Sequence, residues 1–139
     1  ILCFTFVYLV SCNTTTEYTG IVPPSKDLLK GKQLYIAACG GCHQNDGAGL
    51  GKVYPPLKDS DYLANNFENL TCIIMNGLQK PVVVNGQEYT YEMYPVKGLD
   101  YYDVAAISNY LAYTHQVGDG TVMTEELVKK KVENCEPKP

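Results

Sequence analysis

The chain is 139 residues long, 45% hydrophobic and 19% charged, with a formal net charge of -4. That length holds one domain and one core rather than two, and the composition is ordinary for a globular protein. The negative net charge and a pI near 5.1 argue against nucleic acid as a partner, and because all eleven basic residues are lysines there is no bidentate arginine fork wherever a carboxylate must be gripped.

Ile1 to Val10 is almost wholly apolar and uncharged. It falls short of the roughly 20 residues that cross a bilayer, so residues 1–11 read as a signal peptide that is removed. The missing initiator Met and positive n-region fit a sequence truncated at its start. Leu9-Val10-Ser11-Cys12 resembles a bacterial lipobox, and that resemblance implies cleavage before Cys12 and acylation of its thiol. Each acyl chain adds about 0.8 kcal/mol per buried methylene, so two or three anchor a domain durably. Residues 12–24, polar, Thr-rich and closed by Pro23-Pro24, read as a flexible tether.

A domain is expected over residues 25–116. Ser25 is positioned to cap a helix running to about Ala38, with Leu28, Gly31, Tyr35 and Ala38 on one face. That helix delivers Cys39-Gly40-Gly41-Cys42-His43. Two thiols separated by two small residues can bond a haem through its two vinyl groups, while the histidine directly behind them reaches the iron; this spacing is the c-type attachment signal. Gln44 to Gly51 holds three glycines and must be a loop, and Tyr54-Pro55-Pro56-Leu57 stiffens its far end.

Ser60 to Leu63 suggests a short helical turn. Asn66 reads as the cap of a helix with Phe67, Leu70, Ile73 and Ile74 inward, closed by Gly77 in a left-handed conformation. β-branched Val82-Val83-Val84 before Asn85-Gly86 predicts a small hairpin near residues 82–91. Asp100 caps the last core helix, whose inward stripe is Val104, Ile107 and Leu111 with Tyr110 beside it and a mixed polar back. Residues 117–139 form an extension with an accessory helix over Thr124 to Asn134, and Lys129 to Lys131 are a solvated face of it.

Taken in order, these pieces resemble class I c-type cytochromes over about residues 25–115. The resemblance implies an all-α cytochrome c fold, three to five helices around one covalently attached haem c, with the hairpin as its only strands. It implies that Gly31 and Tyr35 meet Tyr110 where the first and last helices cross. It implies that the carbonyl of Pro56 accepts from the second ring nitrogen of His43, and that Met93 is the sixth ligand, although the family often reads Met-Pro where this chain reads Met93-Tyr94-Pro95. The implied function is a single-haem electron carrier rather than an enzyme. It would pass electrons to or from a respiratory oxidase, reductase or dehydrogenase, in an exported, periplasm-facing, lipid-anchored position. Its partners would be redox proteins, with no small-molecule substrate.

Other side chains compete with Met93 for the iron. Met75 lies among core-type residues of a predicted helix, where a methionine is usually packing. Met123 comes after the last core helix, and His115 sits at a helix C-terminus, where an imidazole usually meets the helix dipole. Of six cysteines, Cys3 leaves with the signal, Cys12 takes lipid and Cys39 and Cys42 take haem. Cys72 and Cys135 remain, either as a disulfide tying the tail to the domain or as two free thiols, because spacing does not give their separation. The rival classes are a haem enzyme or gas sensor with an open sixth site, a thiol-disulfide oxidoreductase using Cys39 and Cys42, and a zinc module. The second lacks a βαβ context and the third lacks further ligands at finger spacing.

Overall fold

Pro24, with φ -52 and extended ψ 139, starts the first helix, α1 (Ser25–Ala38). Its carbonyl accepts from the amides of Asp27 and Leu28 at 2.9 and 3.2 Å. The expected Ser25 cap is not formed: Pro24 occupies the N-cap position and Ser25 is already helical. The computed structural model describes residues 23–135; the signal stretch 1–11, Cys12 and the tether through residue 22 lie outside the described residues, as do residues 136–139.

Gly31 is where α1 meets α5 (Tyr101–His115). A Cβ at Gly31 would strike the carbonyl of Ala106 and lie 2.8 Å from Cβ of Tyr110, so only glycine lets the two backbones approach this closely. One turn later Tyr35, 1% exposed, tilts against Tyr110 with ring centroids 5.6 Å apart. The expected crossing of Gly31 and Tyr35 with Tyr110 is therefore present. Outside it, Lys30 pairs with Asp103 at 2.8 Å and lies 4.3 Å from the centroid of the Tyr102 ring.

After α1 comes a single turn, α2 (Gly40–His43), and a long loop to α3 (Asp61–Asn66), capped by Ser60, whose Oγ accepts from the Leu63 amide at 3.1 Å. The sequence suggested one helix from Asn66 to Gly77. Instead α3 passes through a 3-10 turn, Phe67–Asn69, into α4 (Leu70–Asn76). Asn66 does not cap: its side-chain amide donates to the Tyr62 carbonyl at 2.9 Å, closing the preceding turn rather than opening the next. Gly77 has φ +76 as expected, but ψ -177 is extended rather than left-handed helical, because the chain must leave α4 straight into a bridge with Met93.

The hairpin forms as predicted. β1 (Val82–Val84) and β2 (Gln87–Tyr89) pair antiparallel, with Val84 opposite Gln87, around Asn85 and Gly86 at φ +50 and +78. Val84 and Tyr89 point inward. Asn85 and Asp61 exchange backbone-to-side-chain bonds of 3.0 and 2.7 Å, which pin the hairpin tip to α3.

Asp100 caps α5 by accepting from the Asp103 amide at 2.8 Å. The polar back expected for α5 is only partly at the surface: Tyr102, Tyr113 and Thr114 are exposed, whereas residues 104–109 are all buried, Ser108 and Asn109 among them. The cause is the extension, whose helix α6 (Glu125–Glu133) covers that side. Asn109 donates to the Met123 carbonyl at 2.9 Å and accepts from the Met123 amide at 2.8 Å, satisfying both ends of its buried side chain. Thr124 caps α6, and a disulfide joins Cys135 at its end to Cys72 on α4, with Cα atoms 5.8 Å apart. Among the described residues, five helices of six residues or more with one two-stranded sheet give the helical architecture the sequence implied. No helix among them is long and apolar enough to cross a membrane.

Candidate functional site

The Cys-Gly-Gly-Cys-His segment is shaped by the end of α1. The Cys39 amide donates to the Tyr35 carbonyl at 2.8 Å, and the Cys39 carbonyl accepts from Cys42 and His43 at 3.1 and 2.9 Å. This single turn brings both thiols and the imidazole to the wall of one cavity. Cys39 is buried and Cys42 exposed, so the pair straddles the cavity rim. Burial, with the neighbouring Cys42, pushes the Cys39 thiol up to about 11. A thiol-disulfide oxidoreductase needs the reverse, an acidified thiol.

His43 is held by the loop that leads to α3. The Gly47 carbonyl accepts from Leu57 and Lys58 at 2.8 and 2.9 Å, the Gly49 amide donates to the His43 carbonyl at 2.9 Å, and the Leu50 amide donates to the Tyr54 carbonyl at 2.9 Å. In an extended run successive carbonyls face opposite ways. With that of Tyr54 turned to Leu50, that of Pro55 faces the ring, 2.9 Å from His43 Nδ1. The sequence assigned this acceptor to Pro56; the structure assigns it to Pro55, one residue earlier, while Pro56 lines the cavity. A carbonyl only accepts, so Nδ1 carries the proton and Nε2 keeps a free lone pair. Burial lowers the His43 pKa, opposed by the Pro55 carbonyl, and the neutral ring is the form that binds metals.

Met93 reaches the same cavity from distant sequence. Its backbone pairs with Leu78 through bonds of 2.7 and 2.8 Å, and the Val96 amide donates to the Ile74 carbonyl at 3.0 Å. Its segment thus rides on the C-terminal end of α4. Pro95 packs against Gly77, so the extra residue between methionine and proline is absorbed next to the bridge. Met75 packs against the core without lining the cavity, and Met123 is buried under α6. His115 sits at the end of α5 against Gly47.

The cavity, about 330 Å³, is walled by Leu63, Leu70, Ile73, Ile74, Ile107 and Leu111, with Val84 and Tyr89 of the hairpin closing it. Two thiols at the rim, a neutral imidazole, a thioether and apolar walls are the donor set and surroundings that a covalently held haem requires. Lys80, Tyr62 and Tyr91 also line it. None of these three stands out in the sequence, although the lack of arginine points to Lys and Tyr as donors for haem propionates.

A family model described as cytochrome c matches residues 28–115. The chain is 34% identical over 86 residues to cytochrome c-552 of Thermus thermophilus, covering 59% of this chain and 65% of that protein. It matches a second cytochrome c-552, from a particular strain of Thermus thermophilus, at 34% over 86 residues, covering 59% of this chain and 57% of that protein. The chain thus spans less than two thirds of the length of these relatives.

Proposed function

The chain belongs to the cytochrome c family, and on that premise we propose that it is a single-haem electron carrier ligated by His43 and Met93. As a member of the family it binds haem c covalently. In this reading Cys39 and Cys42 make the thioether bonds, His43 offers Nε2, and Met93 offers its sulfur. Haem c held there supplies a one-electron iron couple. The carrying observation is that both thiols, His43 and, of the three methionines, Met93 alone line one cavity with predominantly apolar walls.

The residues do the rest of the work. Pro55 fixes the His43 ring and strengthens its donation to the metal by accepting from Nδ1. Met93 favours the reduced iron relative to a second nitrogen ligand. The apolar wall keeps water from the metal and raises the potential further. With His43 and Met93 both committed to the iron, haem c held there would have no coordination site left for a substrate. Electrons would enter and leave at the rim near exposed Cys42, where a redox partner docks and surface charge steers it.

The same reading carries the signal peptide, the lipid on Cys12 and the tether as the means of holding residues 25–116 at the outer face of a bacterial membrane, beside a respiratory oxidase, reductase or dehydrogenase. Replacing Cys12→Ser should release the protein from membranes; continued association would sink the anchor.

The absorption spectrum of oxidised purified protein tests the carrier reading. It should contain the sulfur-to-iron band, and Met93→Ala should remove it while Met75→Ala leaves it. Rapid binding of carbon monoxide by the reduced parent would point instead to an open sixth site and a gas-binding or enzymatic role.

A further inference from the structure

The Met93 segment has few ties of its own to the rest of the domain. Its backbone bonds run to Leu78 and to Ile74 at the end of α4, and a Cβ on Gly77 would strike the Met93 carbonyl, so α4 and this segment are in backbone contact. Where α4 stands therefore decides where Met93 stands. On its other side α4 is joined to α6 by the Cys72–Cys135 disulfide, and Lys131 Nζ of α6 donates to the Glu68 carbonyl just before α4 at 3.3 Å. The start of the extension is fixed to α5 by the paired bonds between Asn109 and Met123. Cys72 is adjacent to Ile73, which lines the cavity and accepts the Gly77 amide at 2.8 Å.

These contacts form a closed path from α5 through α6 and the disulfide to α4 and the methionine. We propose that α6 with the Cys72–Cys135 disulfide is a brace for the sixth ligand, making Cys72 and Cys135 positioning residues for Met93. The proposal rests on Met93 being that ligand. The covalent bond matters because α4 is only seven residues long, too short to hold its place by helical hydrogen bonding alone. Freed from α6, it and the bridge to Met93 can move together. His43 has no such dependence, since the hydrogen bonds that shape its turn and fix its ring run between residues 35 and 58 and none of them involves α4, α6 or the disulfide.

The test uses the haem-loaded protein and added imidazole, which competes with a thioether for oxidised iron. In Cys72→Ser/Cys135→Ser the haem should stay attached, while imidazole displaces the sulfur at about tenfold lower concentration than in the parent. A second preparation covers a double variant that fails to fold: folded parent is reduced with a phosphine, alkylated with iodoacetamide and reoxidised at the iron with ferricyanide. It should show the same gain in imidazole affinity. Unchanged imidazole affinity in this preparation overturns the brace, and a lowered melting temperature without that gain reduces the disulfide to a general staple. Met93→Ala separates the two readings. If the sulfur-to-iron band survives in Met93→Ala, the ligand assignment fails and the brace with it. If the band vanishes there but opening the disulfide leaves imidazole affinity unchanged, the brace alone fails.

Discussion

The two sides of the cavity are built from different kinds of contact. The His43 side is nearly continuous in sequence: the turn closed by Cys39, the Gly47 and Leu50 loop bonds and the Pro55 acceptor all fall between residues 35 and 58. The Met93 side is assembled from α4, the hairpin, residues 93–96 and a disulfide closing a separation of 63 residues. A local assembly costs little loop-closure entropy and moves as a unit, whereas a nonlocal one is only as firm as its most distant tie. Under the proposed ligation, haem c would meet a rigid imidazole that is part of the attachment site and a softer thioether that the remainder of the fold must hold.

The largest effect should come from the attachment side. Cys39→Ala/Cys42→Ala should abolish haem staining after denaturing electrophoresis, while Met93→Ala retains it in full. Loss of covalent haem in Met93→Ala would mean that the two sides are not independent.

Two glycines allow a matched comparison of smaller size. Gly49 has φ +72 and a Cβ there would lie 2.6 to 2.7 Å from the Tyr54 carbonyl oxygen and the Pro55–Pro56 peptide. Gly77 has φ +76 and ψ -177 and abuts Met93 and Pro95. Ala at either position should cost about 2 to 3 kcal/mol in chemical denaturation, through strain and backbone displacement. The spectroscopic consequences should diverge. Gly49→Ala moves the Pro55 acceptor, weakens donation from His43 and raises the midpoint potential, with imidazole affinity unchanged. Gly77→Ala shifts Met93 and should raise imidazole affinity. Identical changes in both variants would erase the distinction between the sides.

The same division explains what could be read from the sequence. Cys39, Cys42 and His43 are legible because their chemistry demands a fixed spacing in one short segment. The Asn85-Gly86 turn, the Asp100 cap and the Gly31–Tyr35 spacing are likewise written in neighbouring residues. Pro56 was one residue off because which carbonyl faces the ring depends on the Leu50–Tyr54 pairing, a property of the whole loop. Asn66 misled because its amide has two local options and the tertiary turn selects the earlier. Of the mixed polar back expected on the last core helix, Ser108 and Asn109 are covered, since a helix sequence does not announce a later segment that will pack on it. The Cys72–Cys135 pairing remained open for the same reason: spacing holds no information about the path of α6.

The smallest expected effect concerns the back of the His43 side. His115 packs on Gly47, whose carbonyl holds Leu57 and Lys58 in place. Burial is the main cause lowering its pKa below 6.5; nearby Asp59 opposes this and Lys58 adds to it. A histidine that binds its proton less readily folded than unfolded destabilises the fold as acid is added. The loss begins as pH falls through the unfolded value near 6.5 and ends below the depressed folded value. Denaturation of the haem-loaded parent at pH 7 and 5.5 should thus show a decline that is smaller in His115→Gln, by a fraction of either glycine effect. His43 should add nothing to this difference once bound to iron, because a ligated nitrogen is withheld from protons. Since Gly47 belongs to the loop bearing Pro55, acid should destabilise the fold in the parent without changing the affinity at the iron for neutral imidazole, the concentration being counted as free base because the added ligand itself takes up protons over this range. A rise in that affinity at pH 5.5, absent in His115→Gln, would mean that the loop behind His43 and the methionine side respond together, contrary to the separation drawn between them.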